Sequence, residues 1–146
     1  MLITVANSGL RCAAAIKLSR PKVRVIAVEP ELANDAAQSF RTGVRVEIPA
    51  DQAISTIADG LRVQQLGELT WPHVKAFVDD VVTVSEDQIK AAVRQIAAET
   101  RLIAEPSGAV ALAGVLAMGA APETAAAVLS GGNVDPDVFA RILLEG

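Results

Sequence analysis

The sequence predicts an α/β domain on a mainly parallel sheet. Runs of β-branched residues alternate along the chain with helix-period segments, the pattern of layered α/β structure. The apolar mass of the 146 residues is also distinctive: 51% are hydrophobic and only 3% aromatic, so it consists of alanine, valine, leucine and isoleucine. That composition excludes a disordered tail and implies either a well-filled core or an unusually apolar surface.

Taken in order, Leu2–Val5 is a short strand candidate, and Gly9–Leu18 is a helix closed by Pro21. Val23–Val28 (VRVIAV) is uniformly apolar apart from Arg24 and fits a strand buried on both faces. Ala33–Phe40 is a second helix, closed by Gly43, and Asp59-Gly60 marks a turn. Asp80–Val84 (DVVTV) is a further strand. The clearest helix starts at Ser85, whose hydroxyl stands three residues before Gln88 in a capping box, with Glu86 and Asp87 on the positive end of the dipole. Ile89, Ala92, Val93, Ile96 and Ala97 form its core stripe. The apolar stretch Ala104–Ala121, followed by Pro122, predicts a buried helix with Ser107 as its N-cap, and Ala126–Leu129 a last strand. Asp135 caps a final helix with Pro136 in its first turn and Val138, Ile142 and Leu143 facing inward. No repeat or linker divides residues 1–146, so a single domain is expected.

The net charge is −4, and lysine and arginine are scattered, so neither nucleic acid nor an anionic membrane is an expected partner. No uncharged window reaches the roughly 20 residues of a spanning helix. Cys12 is the only cysteine, which fits a reducing compartment, and Arg11 and Lys17 interrupt the apolar start, which argues against a signal peptide. A cytoplasmic protein is expected.

Four segments carry possible chemistry. Val28–Asp35 (VEPELAND) puts Glu29 at the carboxyl end of a strand with Asp35 six residues on; a turn at Pro30 could bring both carboxylates and a carbonyl onto Mg²⁺ or Ca²⁺, or the two could be a strand-end charge and a helix start. The same acidic position could hold a ribose in a nucleotide-binding fold, although Ala6–Ala13 supplies one glycine where that fingerprint needs three. Ser130–Asn133 (SGGN) follows a strand, and its glycines permit a close backbone approach to a ligand or serve a plain turn. In Glu105–Ala109 (EPSGA), Ser107 reads as a cap rather than a nucleophile, because the only histidine, His73, is far off in a T-W-P-H turn and reads as structural or superficial. Asp59, in Thr56–Leu61 (TIADGL), is either a turn residue or a polar group lining a cleft.

In this order VEPELAND, TIADGL, LGELTWPH, VDDVVTVSEDQI, AEPSGAVALA and LSGGNVDP resemble the C-terminal part of the threonine dehydratase and serine racemase group of pyridoxal-phosphate enzymes. The resemblance runs from about Ala13 to the end. It implies the large domain of fold type II, a three-layer α/β structure with a twisted, mostly parallel sheet and helices on both faces, here in part, with the N-terminal half of the family fold missing. It implies that the Ser130 hydroxyl binds the pyridine nitrogen of pyridoxal phosphate, that Gly131, Glu105 and Asp59 lie at the cofactor cleft, and that Glu29, the Ala33 carbonyl and Asp35 form a divalent-cation site for Mg²⁺ or Ca²⁺. The family reaction is loss of water from a small amino acid such as threonine or serine, giving a 2-oxo acid and ammonia.

The departures from the family pattern are as informative. The family's Schiff-base lysine lies in an S-F-K-type segment, and Lys17, Lys22, Lys75 and Lys90 lie outside any such motif; no catalytic residue is therefore assigned. Thr4–Asn7 stands where the phosphate-binding glycines belong. Negligible dehydratase activity is expected of the chain by itself, with a homo-oligomer, or pairing with the missing half, as the expected assembly. A non-catalytic binding module and a nucleotide-binding domain are the alternatives.

Overall fold

The computed structural model describes residues 1–5, 9–119 and 124–145, with residues 2–5 described by backbone alone. The expected loop at Ala6–Ser8 and the end of the apolar stretch at Ala120–Pro122 lie outside the described residues.

Among the described residues four parallel strands form one sheet: β1 (Leu2–Val5), β2 (Val25–Pro30), β3 (Asp80–Val84) and β4 (Ala126–Ala127), in the order β3-β2-β1-β4. The helices are α1 (Leu10–Ser19), α2 (Asp35–Thr42), the short α3 (Ala50–Ala53), α4 (Thr70–Phe77), α5 (Glu86–Thr100), α6 (Pro106–Ala117) and α7 (Pro136–Leu144). They cover both faces. Ile26 and Val28 of β2 pack with Ile89, Val93 and Val110 of α5 and α6, while Ala27 packs with Ala36, Ala37, Trp71 and Val74 of α2 and α4. Burial on both faces explains why Val25–Val28 of β2 is an unbroken apolar run, and each fully buried valine or isoleucine contributes about 1.5–3 kcal/mol.

Several local signals act as expected. Ser85 and Gln88 form the complete capping box of α5, and the Asp135 carboxylate accepts from the N–H groups of Asp137 and Val138 at the start of α7. Gly43 ends α2 with φ +78, a conformation that costs glycine least. Gly114 lets α6 approach β2, since a Cβ there would lie 2.5 Å from Val28 Cγ2.

Other expectations need correction. The second strand is Val25–Pro30, two residues later than the apolar run suggests, because Glu29 and Pro30 still align with Thr83 and Val84. The last strand is two residues long rather than four. T-W-P-H lies at the start of α4, not in a turn: Pro72 falls in the first helical turn, where no intrahelical N–H bond is lost. On α7 only Ile142 is buried, while Val138 and Leu143 are exposed, and Ala97 of α5 is half-buried. The helix N-cap at α6 is Glu105 rather than Ser107.

Candidate cofactor cleft and acidic pair

Three segments distant in sequence meet at the N-terminus of α6. The Glu105 N–H donates to the Gly131 carbonyl at 3.3 Å, and Glu105 Oε2 accepts from the Asn133 N–H at 3.1 Å, so one residue clasps the SGGN loop from both sides. Contact leaves no room for side chains: a Cβ on Gly108 would lie 1.9 Å from the Ser130 carbonyl oxygen, and one on Gly131 would lie 2.2 Å from Glu105 Oε1. Gly131 has φ +85, so glycine is required there twice over. From the other side, Ser107 Oγ accepts from the Gly60 N–H at 2.9 Å and donates to Asp59 Oδ1 at 3.4 Å. Ser107 is thus buried as a tie between two loops, which corrects its reading as a cap.

The Asp59 loop is itself held by a residue that sequence reasoning treated only as a helix-dipole charge. Glu86 accepts from Thr56 Oγ1 at 2.7 Å and from the Ile57 N–H at 2.6 Å, and the Arg62 guanidinium donates to the Thr56 carbonyl through Nε (3.0 Å) and one terminal nitrogen (2.8 Å). Nothing in the local pattern signals a pairing between Thr56 and Glu86 across that separation. Between these segments opens a cleft of about 290 Å³ lined by Asp59, Glu105, Asn133 and Arg141 among others. Ser130 is half-buried and Gly131 exposed on the loop that follows β4. Loops beyond the carboxyl ends of parallel strands, where the order reverses between β1 and β4, are the usual ligand position in open α/β sheets.

The acidic pair lies elsewhere, at the end of β2. Glu29 accepts from the Ala37 N–H at 2.8 Å and the Ala36 N–H at 3.3 Å, capping the first turn of α2. Burial first, then the charge of Asp35, pushes its carboxyl up to about 8, against the opposing pull of those two N–H groups. Asp35 is also buried, and burial raises it to about 6 despite N–H groups of Asp35, Leu66 and Ala36. Asp35 Oδ2 has no hydrogen-bond partner. Ala33 is buried between them, its N–H bonded to the Pro30 carbonyl at 3.1 Å. The structure therefore brings Ser130, Gly131, Glu105 and Asp59 to one region and Glu29, Ala33 and Asp35 to another. Among the described residues no cluster of three His, Cys, Asp or Glu could hold a metal, so a cation here would depend on two carboxylates and a carbonyl.

A parallel sheet covered by helices on both faces, with loops meeting beyond the carboxyl ends of its strands, defines the open α/β class. The chain belongs to the family described as pyridoxal-phosphate dependent enzyme, which it matches over residues 7–131. It is 41% identical over 144 residues to serine racemase of Arabidopsis thaliana, covering 92% of this chain and 42% of that protein. To the beta-hydroxyaspartate dehydratase of Paracoccus denitrificans it is 41% identical over 140 residues, covering 91% and 42%. The solved T.th. threonine deaminase superimposes with a TM-score of 0.85 at 40% identity, covering 92% of this chain and 49% of that one. The fold is that of fold type II enzymes in part, and the chain spans less than half the length of these relatives. Among the described residues no helix is long and apolar enough to cross a membrane.

Proposed function

We propose that this chain forms the cofactor-ring side of a threonine or serine dehydratase-like ammonia-lyase, with the remaining machinery contributed by the complementary part of the family fold. The observation that carries this reading is that hydrogen bonds of main-chain, hydroxyl and carboxylate groups tie Asp59-Gly60, Glu105–Ser107 and the Ser130–Asn133 loop together beside a cleft lined by Asp59, Glu105 and Asn133. The residues present fit pyridoxal phosphate: a hydroxyl at Ser130, a side-chain-free backbone at Gly131, and a clasp that keeps both in place. Bound pyridoxal phosphate would supply an electron sink for carbanion character at the amino-acid α-carbon. Ser130 would accept or donate a hydrogen bond at the ring nitrogen, while Glu105 fixes the loop through Gly131 and Asn133. At the other site, Glu29, the Ala33 carbonyl and Asp35 would hold Mg²⁺ or Ca²⁺; the unpartnered Asp35 Oδ2 and two raised carboxyls are what a hard cation would relieve.

No lysine of the chain reaches the cleft. Lys17 pairs with Asp79 at 2.6 Å, Lys90 with Glu145 at 2.8 Å, Lys75 sits over the Trp71 ring, and Lys22 lies on the surface. The purified chain is therefore expected to form no 2-oxobutanoate from threonine, and to do so only on mixing with a complementary half; measurable turnover by the chain alone would overturn the reading.

A further inference from the structure

Helices α1 and α4 present matching first turns to each other. Leu10, Arg11 and Ala14 of α1 and, with the same spacing, Leu69, Thr70 and His73 at the start of α4 line an open groove of about 570 Å³ between the two helices. Cavities of this size hold small organic ligands. The groove shares no residue with the cleft at Asp59 and Glu105 or with the acidic pair Glu29 and Asp35. Its polar groups are few and distinct. Arg11 is exposed and, among the described residues, has no carboxylate partner; Glu68, beside Leu69 in sequence, is taken by Arg45 at 3.2 Å. No carboxylate among the described residues lines the groove, although the chain carries a net charge of −4. Leu69, 86% exposed, stands with Leu10 and Ala14 as an apolar wall open to water. His73 Nδ1 lies 2.8 Å from the Leu69 carbonyl oxygen, which only accepts, so Nδ1 carries the hydrogen and Nε2 of the neutral ring is an acceptor.

We propose that the groove between α1 and α4 binds a small 2-hydroxycarboxylate with an apolar side chain. Arg11 pairs with the carboxylate, whose two oxygens match the planar guanidinium fork. His73 Nε2 accepts from the 2-hydroxyl, the Thr70 hydroxyl supplies a further hydrogen bond, and Leu10, Ala14 and Leu69 cover the side chain. Each part of the lining selects against an alternative. A single cation suits one carboxylate rather than two, and an inorganic anion would leave the apolar wall and the histidine acceptor unmatched. An α-ammonium would stand beside Arg11 with no carboxylate in the lining to offset it, so a hydroxyl is preferred to an amino group. This site goes beyond the cofactor reading and does not rest on it.

The test is a titration of the isotope-labelled 146-residue chain with 2-hydroxyisocaproate, followed by amide NMR. Saturable shifts are expected at Arg11, Ala14, Thr70 and His73 with a Kd below about 1 mM. Arg11→Gln should weaken binding about tenfold or more through loss of the charge-assisted pair. Isocaproate, which lacks the hydroxyl, should bind at least about threefold more weakly, and His73→Phe, which keeps an aromatic ring, should remove that difference. No saturation by about 10 mM, or an affinity unchanged in Arg11→Gln, overturns the proposal. The same shifts with inorganic phosphate at equal concentration also overturn it, as does leucine binding as tightly as 2-hydroxyisocaproate. Should Arg11→Gln lose the fold, Leu69→Ser, at an exposed side chain, decides in its place with an expected loss of about fivefold.

Discussion

Glu105 Oε2 lies 3.1 Å from the Asn133 nitrogen, across 28 residues of sequence, and that bond joins the start of α6 to the loop after β4. Around it, glycines have no spare volume. Gly108→Ala would drive a methyl into the Ser130 carbonyl, and overpacking against backbone costs on the order of 2–4 kcal/mol. Thermal unfolding should show a fall of several degrees, whereas Gly119→Ala, with nothing within 4 Å of the added Cβ, should lose only what its φ of +64 costs.

Removing the Glu86 carboxylate should loosen the Asp59 loop. Glu86→Ala leaves the fully buried Thr56 hydroxyl and the Ile57 N–H without their acceptor, an expected loss of about 2–3 kcal/mol in urea unfolding. Glu86→Gln keeps one acceptor oxygen and should recover part of it. Equal stability of both variants and wild type would show that the bonds contribute nothing net.

Glu29 makes stability depend on pH in an unusual direction. The folded chain holds this proton up to about 8 and an ordinary glutamate only to about 4.5, so between those values the folded state binds more protons and stability falls as pH rises. Below about 4.5 both states are protonated and the dependence ends. Asp35, raised to about 6, adds to the fall. Melting temperatures measured from about pH 5 to about pH 8.5 should decline, and Glu29→Gln should flatten the profile.

A divalent cation should act against that decline. Metal binding requires deprotonated carboxylates, so millimolar Mg²⁺ or Ca²⁺ should raise the melting temperature more near about pH 8.5 than near about pH 5, and Asp35→Asn should abolish the increment. An increment of the same size in Asp35→Asn would place the cation elsewhere.

Cap chemistry gives a milder effect. Asp135→Ala removes the acceptor of the Asp137 and Val138 N–H groups and should cost about 1 kcal/mol, read as a lowered urea midpoint at unchanged slope.

Much of the fold is written in local pattern. The apolar run Val25–Val28 in β2, the S-E-D-Q box of α5, the Asp135-Pro136 start of α7 and the glycine that ends α2 are each decided by residues within one turn or strand of one another, so sequence alone determined these elements and the α/β class. Motif order determined the family, and the segments that hold Ser130, Gly131, Glu105 and Asp59 meet at the start of α6. Tertiary structure decided what locality cannot reach. Pro72 opens a helix because its missing N–H falls where none is needed; Ser107 ties down Gly60 instead of capping; Glu86 holds Thr56 from 30 residues away. The elevated carboxyls of Glu29 and Asp35 likewise follow from burial, which depends on how α2 packs against the sheet and not on the six-residue spacing between them.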